Sequence, residues 1–140
     1  MDKSTIADAT TLKIDNSLDL TYKELKEIND KLHPKKVRVT ITRPVVDNDG
    51  NPLDVETLVQ FENMLLKNSS GFTVSKRAGV WLSEGKFERF EDMNHVYEMI
   101  VDNNPSIIGN LRAQALVIKQ EMNQEAVLFT VEPMTSVEFV

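Results

Sequence analysis

His95 is the first residue to examine for chemistry, because an imidazole of ordinary pKa can take up and return a proton near neutrality. It stands on a predicted strand beside Tyr97, as a candidate general base. No Ser or Asp partner is identifiable from spacing, so acid/base catalysis at His95 is an alternative reading rather than the leading one. His33, the other histidine, precedes Pro34 at the expected end of a helix, where a cation near the last carbonyls is stabilising. Two histidines far apart in a chain without cysteine do not make a zinc site. No metal and no cofactor is expected. Asp47-Asn-Asp-Gly-Asn51 has the composition of a calcium loop, but its glycine stands fourth rather than sixth, and Leu58 takes the place of the bidentate glutamate. A plain turn is the better reading. Glu84, Glu88, Glu91 and Asp92 crowd one hairpin, where a desolvated carboxylate pair could do acid/base work. With Lys86 and Arg89 among them, a solvated charge cluster is the better reading.

The stronger signal is a binding surface. Gly71–Lys86 carries the only tryptophan, Trp81, between Arg77 and Lys86. Arg77 and Trp81 are four apart on one predicted strand and so share a face. An indole there could stack on a planar ligand or a partner while Arg43, Arg77 or Lys86 pairs a negative group. The alternative is ordinary packing, since tryptophan is a large apolar contributor. Glu125 is a further candidate contact, although Gln124 and Glu125 could equally satisfy backbone groups left by the preceding helix end.

The composition fits one soluble globular domain with a single core. No run approaches the roughly 18–20 apolar residues of a membrane span. Met1–Asp8 has no basic region followed by an apolar core, so no secretory leader is expected and the default location is the cytoplasm. The absence of cysteine excludes disulfides and thiol chemistry. A net charge of -6 argues against a nucleic-acid partner, because phosphate neutralisation needs a basic surface.

These residues must be positioned by a small set of elements. Residues 1–20 have no clean period and read as an arm, with a short strand at Thr11–Ile14. Thr21-Tyr-Lys-Glu24 has capping-box spacing and starts a helix that Pro34 stops. Val37–Thr42 alternates and is β-branched, which predicts a strand with Val37, Val39 and Ile41 on one side. Asp54 caps a helix to Lys67, with Val55, Leu58, Val59, Phe61, Leu65 and Leu66 as its buried stripe. Phe72–Leu82 is a strand, Ser83–Lys86 a hairpin turn, and a second strand runs from near Phe87 to Val101 with a bulge at Glu91-Asp92. Ser106 caps a helix to Met122 with Ile108, Leu111, Ala115, Ile118 and Met122 buried. Ala126–Val131 is the last core strand, interrupted by Pro133, and Val137–Val140 a short returning edge strand.

From Val37 the order is strand, helix, strand, strand, helix, strand. This predicts an α+β fold, the ferredoxin-like βαββαβ plan with an antiparallel sheet and two helices on one face. Residues 1–35 are an arm and short helix, and residues 36–140 the ferredoxin-like domain. The uncovered face should carry Arg38, Thr40, Arg77, Trp81, His95 and Tyr97, and large aromatics there call for something to cover them.

Gly71-Phe-Thr-Val74, Gly79-x-Trp81, Gly85-Lys86 and Gln124-Glu125-Ala-Val-Leu128 follow one another in a familiar order. Over about residues 36–131 the chain resembles an uncharacterised bacterial and phage domain family marked by Gly-Leu-Thr-Val, Gly-x-Trp and Gln-Glu-Ser-Val-Leu segments. It departs from that pattern over Arg89–Asn94. The resemblance implies a ferredoxin-like domain and no particular activity. The reading that follows is a non-enzymatic binding protein, a phage accessory protein that oligomerises through the open sheet face. Its ligand is a small anion such as a nucleotide, or a host protein. Two alternatives stand beside it: a small enzyme using His95 with a hairpin carboxylate, and a structural component of a phage particle.

Overall fold

A computed structural model describes residues 21–82, 85 and 88–140, with the side chains of residues 30–32 set aside. The expected arm, including Thr11–Ile14, lies outside the described residues. So do Lys86 and most of the expected hairpin turn.

Two compact units divide the chain, Met1–Pro34 and Lys35–Val140. The first contains helix α1, Tyr22–Leu32. Thr21 caps it through a reciprocal pair: the Glu24 amide donates to the Thr21 hydroxyl, and the Thr21 amide donates to the Glu24 carboxylate, both at 3.1 Å.

In the second unit the elements run β1 (Lys36–Pro44), α2 (Val55–Asn68), β2 (Thr73–Leu82), β3 (Arg89–Asp102), α3 (Pro105–Glu121) and β4 (Phe129–Met134). The four strands form one antiparallel sheet in the order β2-β3-β1-β4, which is the ferredoxin-like topology. Val37, Val39 and Ile41 of β1 pack with Tyr97, Met99 and Val101 of β3 against Phe61 and Leu65 of α2 and Leu111, Ala115 and Ile118 of α3. Strand alternation sends the intervening residues to the face turned away from these helices, called the outer face below.

Several expected boundaries move for identifiable reasons. Asn104, not Ser106, caps α3, because its side-chain oxygen accepts from the amides of Ser106 and Ile107 while Pro105 takes the first helical position. The buried stripe of α2 narrows to Phe61 and Leu65, with Val55, Val59 and Leu66 exposed. β4 starts at Phe129 and continues through Pro133, which pairs with Val37. A proline is tolerated there because β4 is an edge strand and one side of it makes no ladder bonds. Val137–Val140 forms no strand. β2 and β3 keep one register from Thr73↔Glu98 to Leu82↔Arg89, so there is no bulge at Glu91-Asp92.

β1 ends opposite Asn94, whereas β2 and β3 pair onward to Leu82 and Arg89. The last stretch is therefore a two-stranded ribbon extending past the sheet, and Val80, Trp81, Leu82, Phe90 and Met93 are exposed on it. Among the described residues no helix is long and apolar enough to cross a membrane.

Candidate functional site

The candidate residues separate onto the two faces of the sheet. Lys76, His95 and Arg43 are register partners on β2, β3 and β1, so they form one row on the helix-covered side. Arg43 continues the inward phase of Val37, Val39 and Ile41 and is only 4% exposed. Its Nε–H donates to the Tyr97 hydroxyl at 3.2 Å, and its two terminal nitrogens donate to the Pro44 carbonyl and to His95 Nδ1, each at 3.3 Å. The Tyr97 hydroxyl in turn donates to Glu62 of α2 at 2.9 Å. The Tyr97 ring meets Phe61 edge-on at 5.1 Å and Phe72 at 5.4 Å, with the Arg43 guanidinium 5.7 Å from its centre. One hydrogen-bonded chain thus ties β3 to β1 and α2.

This corrects the expectation that His95 and Tyr97 lie on the open face. Tyr97 is the register partner of Ile41 and shares its inward phase. A one-residue difference in phase moves a strand's side chains to the other face.

The hydrogen bonding also assigns the imidazole tautomer. A guanidinium only donates, so Nδ1 of His95 accepts and the ring proton sits on Nε2. That atom is buried with no hydrogen-bond partner among the described residues. Burial pushes the His95 pKa below the ordinary imidazole value, and the charges of Arg43 and Lys76 push it the same way against a smaller pull from Glu62. Burial raises the Tyr97 pKa, opposed by the hydrogen bond from Arg43. A base acting on a substrate proton needs an accessible lone pair. In this arrangement Nδ1 is engaged and Nε2 carries the proton, which leaves His95 a half-buried polar anchor.

The depressed His95 value has a definite sign. Above the unfolded histidine pKa of about 6.5, both folded and unfolded chains carry a neutral ring. As pH falls through that value the unfolded chain protonates first, and stability is lost until folded His95 protonates as well. His95→Gln is expected to remove this component. Urea denaturation at neutral and at mildly acidic pH should therefore show a smaller acid loss in the variant than in the parent.

The outer face carries the other candidates. Arg77 and Trp81 share it, as their spacing predicts, together with Arg38 and Thr40. Trp81 and Phe90 are register partners, 51% and 52% exposed. A Cβ added at Gly79 would stand 2.9 Å from Trp81 Nε1 and 2.9 Å from Asn94 Nδ2, so the indole lies over the bare backbone of Gly79. The Gly79-x-Trp81 spacing is in this way a seat and the ring that occupies it. Gly79→Ala should dislodge the ring, read as a red shift in the emission of the sole tryptophan; unchanged emission would count against the seat.

Six charges, in three ion pairs, lie on the same face. Arg38 pairs with Glu132 at 3.0 Å and Arg77 with Glu98 at 3.1 Å. Lys36 pairs with Asp102 at 2.6 Å. A cavity of about 550 Å³ lies among Lys36, Arg38, Phe72, Thr73, Glu98 and Phe139, within the usual size range of small-molecule sites. Arg38 Nε and Ser75 Oγ, both from outer-face positions, are buried without a hydrogen-bond partner among the described residues.

Glu125 is exposed in the connection from α3 to β4, at the opposite edge of the sheet from the strand of Trp81. Gln124 bonds the helix end, donating from Nε2 to the Met122 carbonyl at 2.9 Å. Asp47-Asn-Asp-Gly50 is a closed turn, in which the Asp47 carboxylate accepts from the amides of Asp49 and Asn51 at 2.9 and 2.8 Å. Glu91 pairs with Arg89 at 3.2 Å, both well exposed.

Residue reasoning missed Glu62, Lys76, Glu98, Glu132 and Phe90. For Glu62 a signal existed: Leu58, Glu62 and Leu65 follow helical spacing, so a carboxylate sits within the apolar stripe. Extending the β1 alternation one step would likewise have turned Arg43 inward.

No protein-family model matches the chain, and no curated protein matches it. Solved structures do. A phage SAM lyase in complex with S-methyl-5'-thioadenosine superposes with a TM-score of 0.55 at 11% identity, over 71% of this chain and 81% of that one. The GlnK–ATP complex of B. subtilis gives 0.50 at 15% identity, over 72% and 83%. The periplasmic divalent cation tolerance protein CutA of Archaeoglobus fulgidus gives 0.50 at 12% identity, over 74% and 87%. At these identities the likeness is one of fold.

Proposed function

We propose that this chain is a small non-enzymatic binding protein that associates with copies of itself through the outer sheet face and holds a small anionic ligand of the nucleotide class beside that face. The observation that carries the reading is the outer face itself, where Trp81 and Phe90 stand half-exposed as register partners across β2 and β3. Large exposed aromatics set side by side are what a surface looks like without its covering partner. The cavity beside Lys36 and Arg38 offers donors to an anion, and Phe72 and Phe139 also line it. Two fold neighbours solved with adenosine-bearing ligands give a precedent for this ligand class on this fold. A role as a phage accessory protein belongs to the same proposal and rests on the resemblance of the Gly79-x-Trp81 and Gln124–Leu128 segments.

Native mass spectrometry of protein purified from its own host tests the reading. A species of two or more chains, with a retained mass in the small-molecule range, is expected. A retained host protein would name a different partner. A bare single-chain mass would sink the proposal.

A further inference from the structure

We infer that the outer face is covered by a second copy of the same chain, related by a twofold axis that lies in the contact plane perpendicular to a line of four charges. This rests on the proposed self-association and specifies its geometry. Across the sheet the outer face presents Glu132 on β4, Arg38 on β1, Glu98 on β3 and Arg77 on β2, following the strand order from one edge to the other. Their signs alternate: minus, plus, minus, plus. Glu132 and Arg38 are register partners, Glu98 lies one alternate step further along the sheet, opposite Thr40, and Arg77 reaches Glu98 from β2. The line is therefore oblique to the strands.

A line of this kind is complementary to its own reverse. A twofold axis in the contact plane and perpendicular to it reverses the line, so that Glu132 meets the partner's Arg77 and Arg38 meets the partner's Glu98. An axis along the line would instead set every charge on its own copy, and like charges face to face are repelled. An isologous contact of the first kind is self-complementary, which is what a closed dimer requires. The side chains of Arg38, Arg77 and Glu132 are 39%, 59% and 53% exposed, so their heads remain available to a second partner. Four strands at about 4.8 Å spacing and the nine residues of β1 at about 3.3 Å each give a plan area on the order of 570 Å². That approaches the roughly 800 Å² of accessible surface per partner in a standard interface.

Charge reversal in the full-length chain tests this. Within one chain Arg77 pairs with Glu98 and Glu132 with Arg38, on opposite edges of the sheet, so reversing 77 and 132 together cannot repair either intramolecular pair. Arg77→Glu and Glu132→Arg should each weaken self-association, measured by sedimentation equilibrium, by at least about tenfold. Equimolar mixing of the two single variants should restore association to within about threefold of the parent, because a mixed dimer recovers Glu132 against Arg77 once and its charge-reversed equivalent once. A parent dimer whose variants are not restored by mixing overturns this geometry and leaves the proposed self-association standing. A strictly monomeric parent overturns both. Should a reversed variant fail to fold, the parent alone decides: its dissociation constant must rise with ionic strength, and a salt-independent constant overturns the inference.

Discussion

Tyr97→Ala is expected to cost about 3–5 kcal/mol of folding stability, the range for truncating a fully buried aromatic. Tyr97 has no exposed surface and sits at the centre of the core cluster. Its ring packs edge-on against Phe61 and tilted against Phe72. Its hydroxyl stands between Arg43 and Glu62, so truncation also strands a buried guanidinium and a carboxylate. A domain of this size has on the order of 5–15 kcal/mol in total, so the loss is a large fraction of it. Tyr97→Phe separates the two contributions. It keeps the ring and removes only the bridging oxygen, for an expected loss of about 1–3 kcal/mol. Urea denaturation of both variants reads the difference. Equal losses would mean that the hydroxyl, not the ring, holds this part of the core.

Trp81→Ala should act almost entirely on association. The proposed self-association rests on the exposed aromatics of the outer face, and Trp81, seated on Gly79 beside Phe90, is the largest of them. Aromatic anchors of this kind contribute about 2 kcal/mol or more, so self-association should weaken by roughly thirtyfold. The folded single chain should lose no more than about 1 kcal/mol, because the ring is half exposed on a ribbon that extends beyond the sheet. Sedimentation and thermal unfolding at one dilute concentration separate the effects. A variant that associates like the parent while losing stability would make Trp81 a packing residue.

Much of the fold was legible in the residues. The alternation of Val37–Ile41, the stripe of α3 and the turn chemistry at Asp47–Asn51 led to the βαββαβ order. The phase of β3 was not legible, and it decided where His95 and Tyr97 point. Val96, Tyr97, Met99, Ile100 and Val101 put apolar residues on both faces, so alternation alone offers no choice. Arg89–Asp92 adds none, since the ribbon is exposed on both sides. Only pairing settles the matter: Met99 opposite Val39 and Tyr97 opposite Ile41 bring β3 into phase with the one unambiguous strand. Arg43 shows a different limit. A charged side chain in inward phase looks like the end of the buried stretch, and only tertiary partners, Tyr97 and His95, make its burial intelligible.

The central position of β1 has a kinetic consequence. Its pairing with β4 joins residues as far apart as Arg38 and Glu132, 94 positions along the chain. Closing a loop of that length costs about 4 kcal/mol plus a constant before any of its contacts are gained. The β2–β3 hairpin, by contrast, is local and can form early. The sheet is therefore expected to grow from the hairpin inward to β1 and to gain β4 last, with folding slowed by that late, distant pairing. Until β4 docks, β1 is an open edge, and the interval before docking is when a folding chain is most exposed to joining strands with its neighbours.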